Sequence, residues 1–343
     1  RYTFFEALSF TSNLASWDIA KVTSLSYAFA SASAFNSDLS NWNVSKVTSL
    51  AGTFNNANAF DSDLSGWDVS NVESLRYSFF EASSFTSNLA SWDIAKVTSL
   101  TQAFNSASAF NSDLSNWNVS KVTDLVGTFN NANAFDSDLS GWDVSNVESL
   151  SHTFSEASSF TSNLASWDIE KVTSLFATFA NATAFNSNLS SWVVDRVDTL
   201  RQSFDGALNF NSDISNWNVS KVTNMNEIFD GANAISPCNK HAIYNEWKPQ
   251  VSQSVFTIDS AWDVAGYNTS SGTCSCKVNY RVSNNICVPC ATDTYRLSGD
   301  EPEGGGGAGV DTFCGSCETF VQGATQATCS SASDARATEC DTL

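Results

Sequence analysis

Large apolar residues return along this chain at a fixed step. Tryptophan stands at 17, 42, 67, 92, 117, 142, 167, 192 and 217, an unbroken spacing of 25. Phenylalanine keeps the same step from Phe10 to Phe210 and again from Phe29 to Phe229. Leu14, Ile19, Val22, Leu25 and Ala32 each open a lane of the same period. A period of this size signals stacked supersecondary units, because no single unit can bury its own apolar face.

Within one unit the pattern changes character. In "WNV", Trp42 and Val44 alternate with Asn43, the period of a short strand with one face inward. Val47, Leu50, Phe54 and Ala57 then follow the i, i+3, i+7, i+10 spacing of one helix face. Ser45 is the expected N-cap, and Ser70 with Glu73 and Ser145 with Glu148 make capping-box patterns at the same place. "NAFNSDL" returns the chain, with Phe60 plugging the turn. The expected fold is an α/β solenoid of nine 25-residue coils, each a short parallel strand plus a short helix. At about 4.8 Å per coil, nine coils make a rod on the order of 45 Å long.

A longer period lies above this one. Residues 10–84 and 85–159 are nearly the same 75-residue block, and 160–234 is a drifted third copy. "RYTFFEALSF" at 1–10 matches "RYSFFEASSF" at 76–85, so the chain opens in mid-coil. Three regions follow: the repeats at 1–234, a C-terminal solenoid cap at 235–266 that includes Ala242 and Trp247, and a Cys-rich module at 267–343.

The string "FNSDLSNWNVSKVTSLAGTFNNANA" resembles the repeat of the BspA-like leucine-rich-repeat surface proteins, over about 10–234. "FNSDISNWNVSKVTNMNEIFDGANA" carries the same resemblance in coil 9, and "SWVVDRVDTL" in coil 8 departs from it most. The resemblance implies a leucine-rich-repeat-like solenoid at the cell surface, with no family-wide enzyme activity and no catalytic residues to carry over.

All nine cysteines lie late: Cys238, Cys274, Cys276, Cys287, Cys290, Cys314, Cys317, Cys329 and Cys340. That density in a loop-rich segment reads as a disulfide framework in an oxidising compartment. The spacing of "CVPC" and "CGSC" leaves zinc as the alternative. An odd count leaves one thiol free or paired elsewhere. "CSCKVNYRVSNNICVPCATDTYRLSGD" is similar to small extracellular modules of the EGF and TNF-receptor kind. "EGGGGAG" at 303–309 reads as a loop, without the strand–helix setting of a phosphate-binding turn.

Charge narrows the partners. Sixteen Lys and Arg against 36 Asp and Glu give a net charge of −20. That excludes the basic footprint of a nucleic-acid binder and disfavours an anionic membrane surface. No apolar run reaches the length of a membrane span, so no direct insertion is expected. No signal peptide is visible and Arg1 is no initiator, so a processed or partial form is expected.

The two histidines, His152 and His241, fit no catalytic motif, and no enzyme activity is expected. No cofactor is expected, with calcium the one candidate. Asp68, Asp93, Asp143 and Asp168 share a lane with Asp18, Asn43 and Asn118, where stacked carboxylates would repel unless a cation intervenes. The plainer reading is that interspersed Asn, and Lys three residues on, relieve the lane. A second acidic lane runs from Asn13 through Asp38 and Asp63 to Asp138. N-x-[ST] sequons stand at Asn43, Asn118, Asn181, Asn188, Asn218 and Asn268, three of them at one coil position.

These features predict a secreted or cell-surface structural glycoprotein, one subunit of a fibre built head to tail through the uncapped N-terminal coil and the C-terminal region. The alternative is a monomeric adhesin or ligand-binding stalk meeting other surface glycoproteins or glycans.

Overall fold

The structure, a computed structural model, describes residues 3–262 and, beyond them, the backbone of short strand pairs only. By contacts the chain divides into Arg1–Ile235 with Glu246–Ile258, and Ser236–Asn245 with the residues from Asp259 onward.

The first unit is a solenoid-like stack with the expected 25-residue step, and its core is a set of aromatic columns. Trp42 and Trp67 stack with centroids 6.5 Å apart and planes 4° from parallel. Phe29 lies 5.7 Å from Phe54, and Phe35 5.8 Å from Phe60. Phe54 and Phe60 of one coil also stack at 3.8 Å, so the two phenylalanine columns are one double column. Trp67 leans against it at 39°. Val47, Leu50, Phe54, Ala57 and Phe60 are all at most 1% exposed. The apolar lanes therefore face inward as the periodicity requires.

The backbone that carries them is not the expected one. No helix forms at 47–57 and no strand at "WNV"; the coils are turns throughout. The reason is visible in the main chain. Gly52 and Asn56 have φ of 59° and 56°, left-handed values that no helix accommodates. The N–H groups of Leu50, Gly52, Phe54 and Asn56 donate to Ser74, Arg76, Ser78 and Phe80 of the next coil at 2.7–3.1 Å, not to residues four back. Those of Thr53, Asn55 and Ala57 close turns onto Leu50, Gly52 and Phe54. Alternate main-chain groups thus serve the neighbouring coil and the local turn. This ribbon occupies 25–31 and its equivalents and is flanked by parallel bridges from Ser24↔Ser49 to Thr199↔Asn224. At "WNV" the side chains do alternate, but the N–H of Trp42 turns back to Leu39 and that of Val47 to Val44. Ser45 caps no helix; its N–H and Oγ both donate to Asn43 Oδ1.

The last coil is closed by residues 247–258. Trp247, at the end of α1 (Pro237–Trp247), stacks on Trp217 at 6.0 Å, in the place of a tenth repeat tryptophan. Its Nε1 donates to the Ile214 carbonyl at 3.2 Å, as each repeat tryptophan from Trp42 to Trp217 does to the coil before it. Gln250 Oε1 accepts the Val219 N–H at 2.8 Å, and Thr257 Oγ1 donates to the Met225 carbonyl. The second unit holds Pro237–Asn245 of α1. Its further described backbone forms four antiparallel pairs: β1 (Tyr267–Asn268) with β2 (Ser275–Cys276), β3 (Tyr280–Ser283) with β4 (Ile286–Pro289), β5 (Thr294–Tyr295) with β6 (Gly315–Ser316), and β7 (Ala327–Thr328) with β8 (Asp341–Thr342).

Candidate functional site: the faces of the stack

Each coil has one half fixed by side chains. The Leu39 N–H donates to Ser62 Oγ of the next coil at 2.8 Å, a contact repeated from Leu14–Ser37 to Leu189–Ser212. Trp42 Nε1 donates to the Leu14 carbonyl at 3.0 Å, and every later repeat tryptophan follows suit. A further lane, unread in the sequence, links coils at the residue after the first phenylalanine. Asn36 Oδ1 accepts the Asp61 N–H at 2.9 Å, and Asp61 Oδ1 accepts both the N–H and the Oγ1–H of Thr86. Its signal was the rotation of "FT", "FN" and "FD" from Thr11 to Asn186, broken at Asn211.

The acidic lanes belong to the same half. Asp68 Oδ1 accepts the N–H and Oγ–H of Ser70, Asp143 does the same with Ser145, and Asp93 and Asp168 accept the N–H groups of Ala95 and Glu170. These are Asx turns, which let a short polar side chain replace a backbone acceptor. The serine hydrogen bonds hold the Asp68 and Asp143 carboxyls below the usual aspartate range. Asp38, Asp63, Asp113 and Asp138 of the second lane are lowered the same way. Among the described residues no three acidic, His or Cys side chains gather as a metal site. The calcium candidates are therefore separate turn residues, one to a coil.

Asn43, Asn118, Asn181, Asn188 and Asn218 are all exposed; Asn268 lies outside the residues whose side chains are described. Cys238 is disulfide-bonded. Cys274, Cys276, Cys287, Cys290, Cys314, Cys317, Cys329 and Cys340 lie outside that description, as does 303–309. His152 is half-buried, edge-on to Phe176 at 4.6 Å, and burial pushes its pKa down. His241 is buried in α1, with Asn245 Nδ2 donating to its carbonyl.

The ribbon presents a second, different face. Arg76 lies over the Tyr77 ring at 5.8 Å, with Phe80 beside it at 6.1 Å from Tyr77. Arg201 lies over Phe176 at 5.5 Å, and Phe176 touches His152. Sequence reasoning passed over these residues because, although Arg76, Tyr77 and Phe80 recur as Arg1, Tyr2 and Phe5, none of them forms a lane through every coil.

No curated protein and no solved structure matches the chain. One family model does, described as Mycoplasma protein of unknown function, DUF285, over residues 1–116, 74–192 and 162–257. This corrects the resemblance to BspA-like leucine-rich-repeat proteins, and the turn-built coil agrees with the correction, since the strand-plus-helix unit that resemblance implied is absent. With residues 1–257 under three overlapping matches, the chain belongs to the DUF285 family.

Proposed function

We propose that this chain is a non-enzymatic extracellular scaffold, a secreted or surface-held stalk that presents one side of a rigid stack to a partner. The observation that carries the reading is the continuous aromatic core closed at its last coil by Trp247. Nearly every buried side chain of the coils serves stacking, and the exposed lanes are held in turns. Such a body spans distance and displays residues.

The same observation disfavours a fibre built coil directly on coil, and leaves docking of the N-terminal coil on the C-terminal region as the second reading. Trp247 already occupies the surface on which another coil would stack. The Cys238 disulfide supports an oxidising location. Glycans fit as well. At Asn43, Asn118 and Asn218 the turn uses Oδ1, leaving the Nδ2 to which a glycan attaches.

Electron microscopy of the native material tests the reading. Isolated rods of uniform length, released from intact cells by protease, are the expected result. Regular fibres, or material recovered only from the cell interior, would overturn it. Mass spectrometry of the sequon peptides checks the glycans: bare asparagine at all six positions removes that part.

A further inference from the structure

Two parts of this chain are a controlled comparison. Residues 10–84 and 85–159 differ at positions 26, 27, 30, 49, 51, 76, 77, 78 and 80 and their partners 75 residues on, and nowhere else. Each of these positions lies within 24–30, 49–55 or 74–80, the main-chain ribbon and the bridge residue before it. Exposed residues elsewhere on the coil, such as Asp18, Lys21 and Thr23, are identical in the second block. Exposure alone therefore does not explain where the copies diverge.

What has been placed on that face has a chemistry. Every Lys or Arg of coils 10–234 stands at the coil position of Lys21, except Arg76 and Arg201. Both exceptions are exposed ribbon residues, both lie against an aromatic ring, and neither forms an ion pair among the described residues. In a chain of net charge −20, these are two isolated guanidinium groups on one side of the stack.

We infer that the ribbon face is a recognition surface for an acidic oligosaccharide. Tyr77 and Phe80, and Phe176 with His152, are half-buried rings that give each guanidinium an apolar surround against which the C–H side of a sugar packs. Arg76 and Arg201 offer the planar fork that pairs with a sugar carboxylate. Tyr77 and His152 hold the same coil position three coils apart, about 15 Å at the ordinary inter-strand spacing. A chain of several sugars, not a single one, meets both clusters. A short peptide bearing carboxylates is the competing class. It would favour an open strand edge, and here the ribbon's alternate N–H and C=O groups are already committed between coils.

This inference rests on the scaffold reading and is tested apart from it. The full chain is probed against arrays of sialylated and uronic-acid oligosaccharides, their neutral counterparts, and acidic peptides. The test variant combines Arg76→Ser, Tyr77→His, Ser78→Thr and Phe80→Ser, the residues the equivalent coil already carries at 151–155, so the fold accepts them. Affinity for acidic sugars is expected to fall about 10- to 100-fold with an unchanged melting temperature. Lys46→Ser, one cation removed from another lane, is expected to leave binding intact. Binding of peptides only, equal binding by the variant, or no acidic sugar bound would each overturn the inference. The microscopy above would stand in any of those cases.

Discussion

Two halves of each coil are held by different chemistry. From Phe35 to Thr48 the neighbouring coils are joined through side chains: a serine hydroxyl, an indole N–H, an Asn or Asp oxygen. From Leu50 to Asn56 the polar links are mostly main chain, with one hydroxyl, Thr53 Oγ1, donating to the Leu25 carbonyl and the Phe54 ring stacked between its neighbours. The first half must therefore spell the same residues each time, because each bond belongs to a particular side chain. The second half keeps its buried Leu50, Phe54 and Ala57, and at its outward positions asks only for a backbone that reaches the left-handed region twice per coil. Repetition is strictest where side chains make the polar links between coils, and variety is greatest along the ribbon, where most of those links are main chain.

That contrast is broken most directly at its centre. Trp117→Ala removes a fully stacked ring and the bond from Nε1 to the Leu89 carbonyl. A loss of about 3–5 kcal/mol in chemical denaturation is expected. If the loss is below that of an ordinary surface change, the columns do not hold the stack. Ser112→Ala should cost about 1–3 kcal/mol, since it strands the buried Leu89 N–H. Ribbon replacements such as Gln102→Ser should stay within about 0.5 kcal/mol. Equal costs at the two positions would erase the distinction between the halves.

Gly52 sharpens the comparison from the ribbon side. It sits at φ 59°, and a Cβ there would meet the Tyr27 ring. Gly52→Ala should cost about 1–2 kcal/mol from the backbone alone. Combined with Tyr27→Ala, part of the loss should return, because the steric contact is removed and only the backbone cost remains.

Titration gives the smaller effects. The lowered Asp68 and Asp143 carboxyls bind protons less readily in the folded chain than in the unfolded one. Their stabilisation is present above the ordinary aspartate pKa of about 3.9 and is lost as pH falls through the lowered values. Asp68→Asn with Asp143→Asn should flatten the acid limb of the stability curve. It should change little at neutral pH, where Asn43 and Asn118 already make the same turn. Asp205 has the opposite sign: burial first, then Asp230 and Glu227, raise its pKa. It therefore weighs against folding once ionised, and Asp205→Asn should raise the melting temperature at neutral pH. The gain should vanish below about pH 3.9, where folded and unfolded chains are both protonated.

Burial was legible from the sequence because each apolar lane is repeated nine times. The backbone was not. Val47, Leu50, Phe54 and Ala57 have the spacing of a helix face, and they are buried as that face would be. A chain of i→i−3 turns places side chains inward at nearly the same interval. The signal that separates the two is the residue type at the left-handed positions. Gly52, Asn56, Gly127, Asn131, Gly206 and Gly231 announce it. Tyr27, Tyr77, Gln102 and His152, at the same positions, conceal it. Ser37, Ser62 and their successors were legible as a lane but not as acceptors, since serine is common throughout the chain. The Arg–aromatic face left only a sporadic trace, Arg1, Arg76 and Arg201 at one coil position, which a search for unbroken lanes discards.

Trp247 and the residues after it grip carbonyl and amide groups and one indole, parts that any of the preceding coils could supply. The terminus is thus indifferent to how many turns precede it. Whole 75-residue blocks can be gained or dropped with no redesign at the closing end, and deleting 85–159 should yield a shorter, folded protein. Length in such a molecule is a quantity that recombination sets in fixed increments.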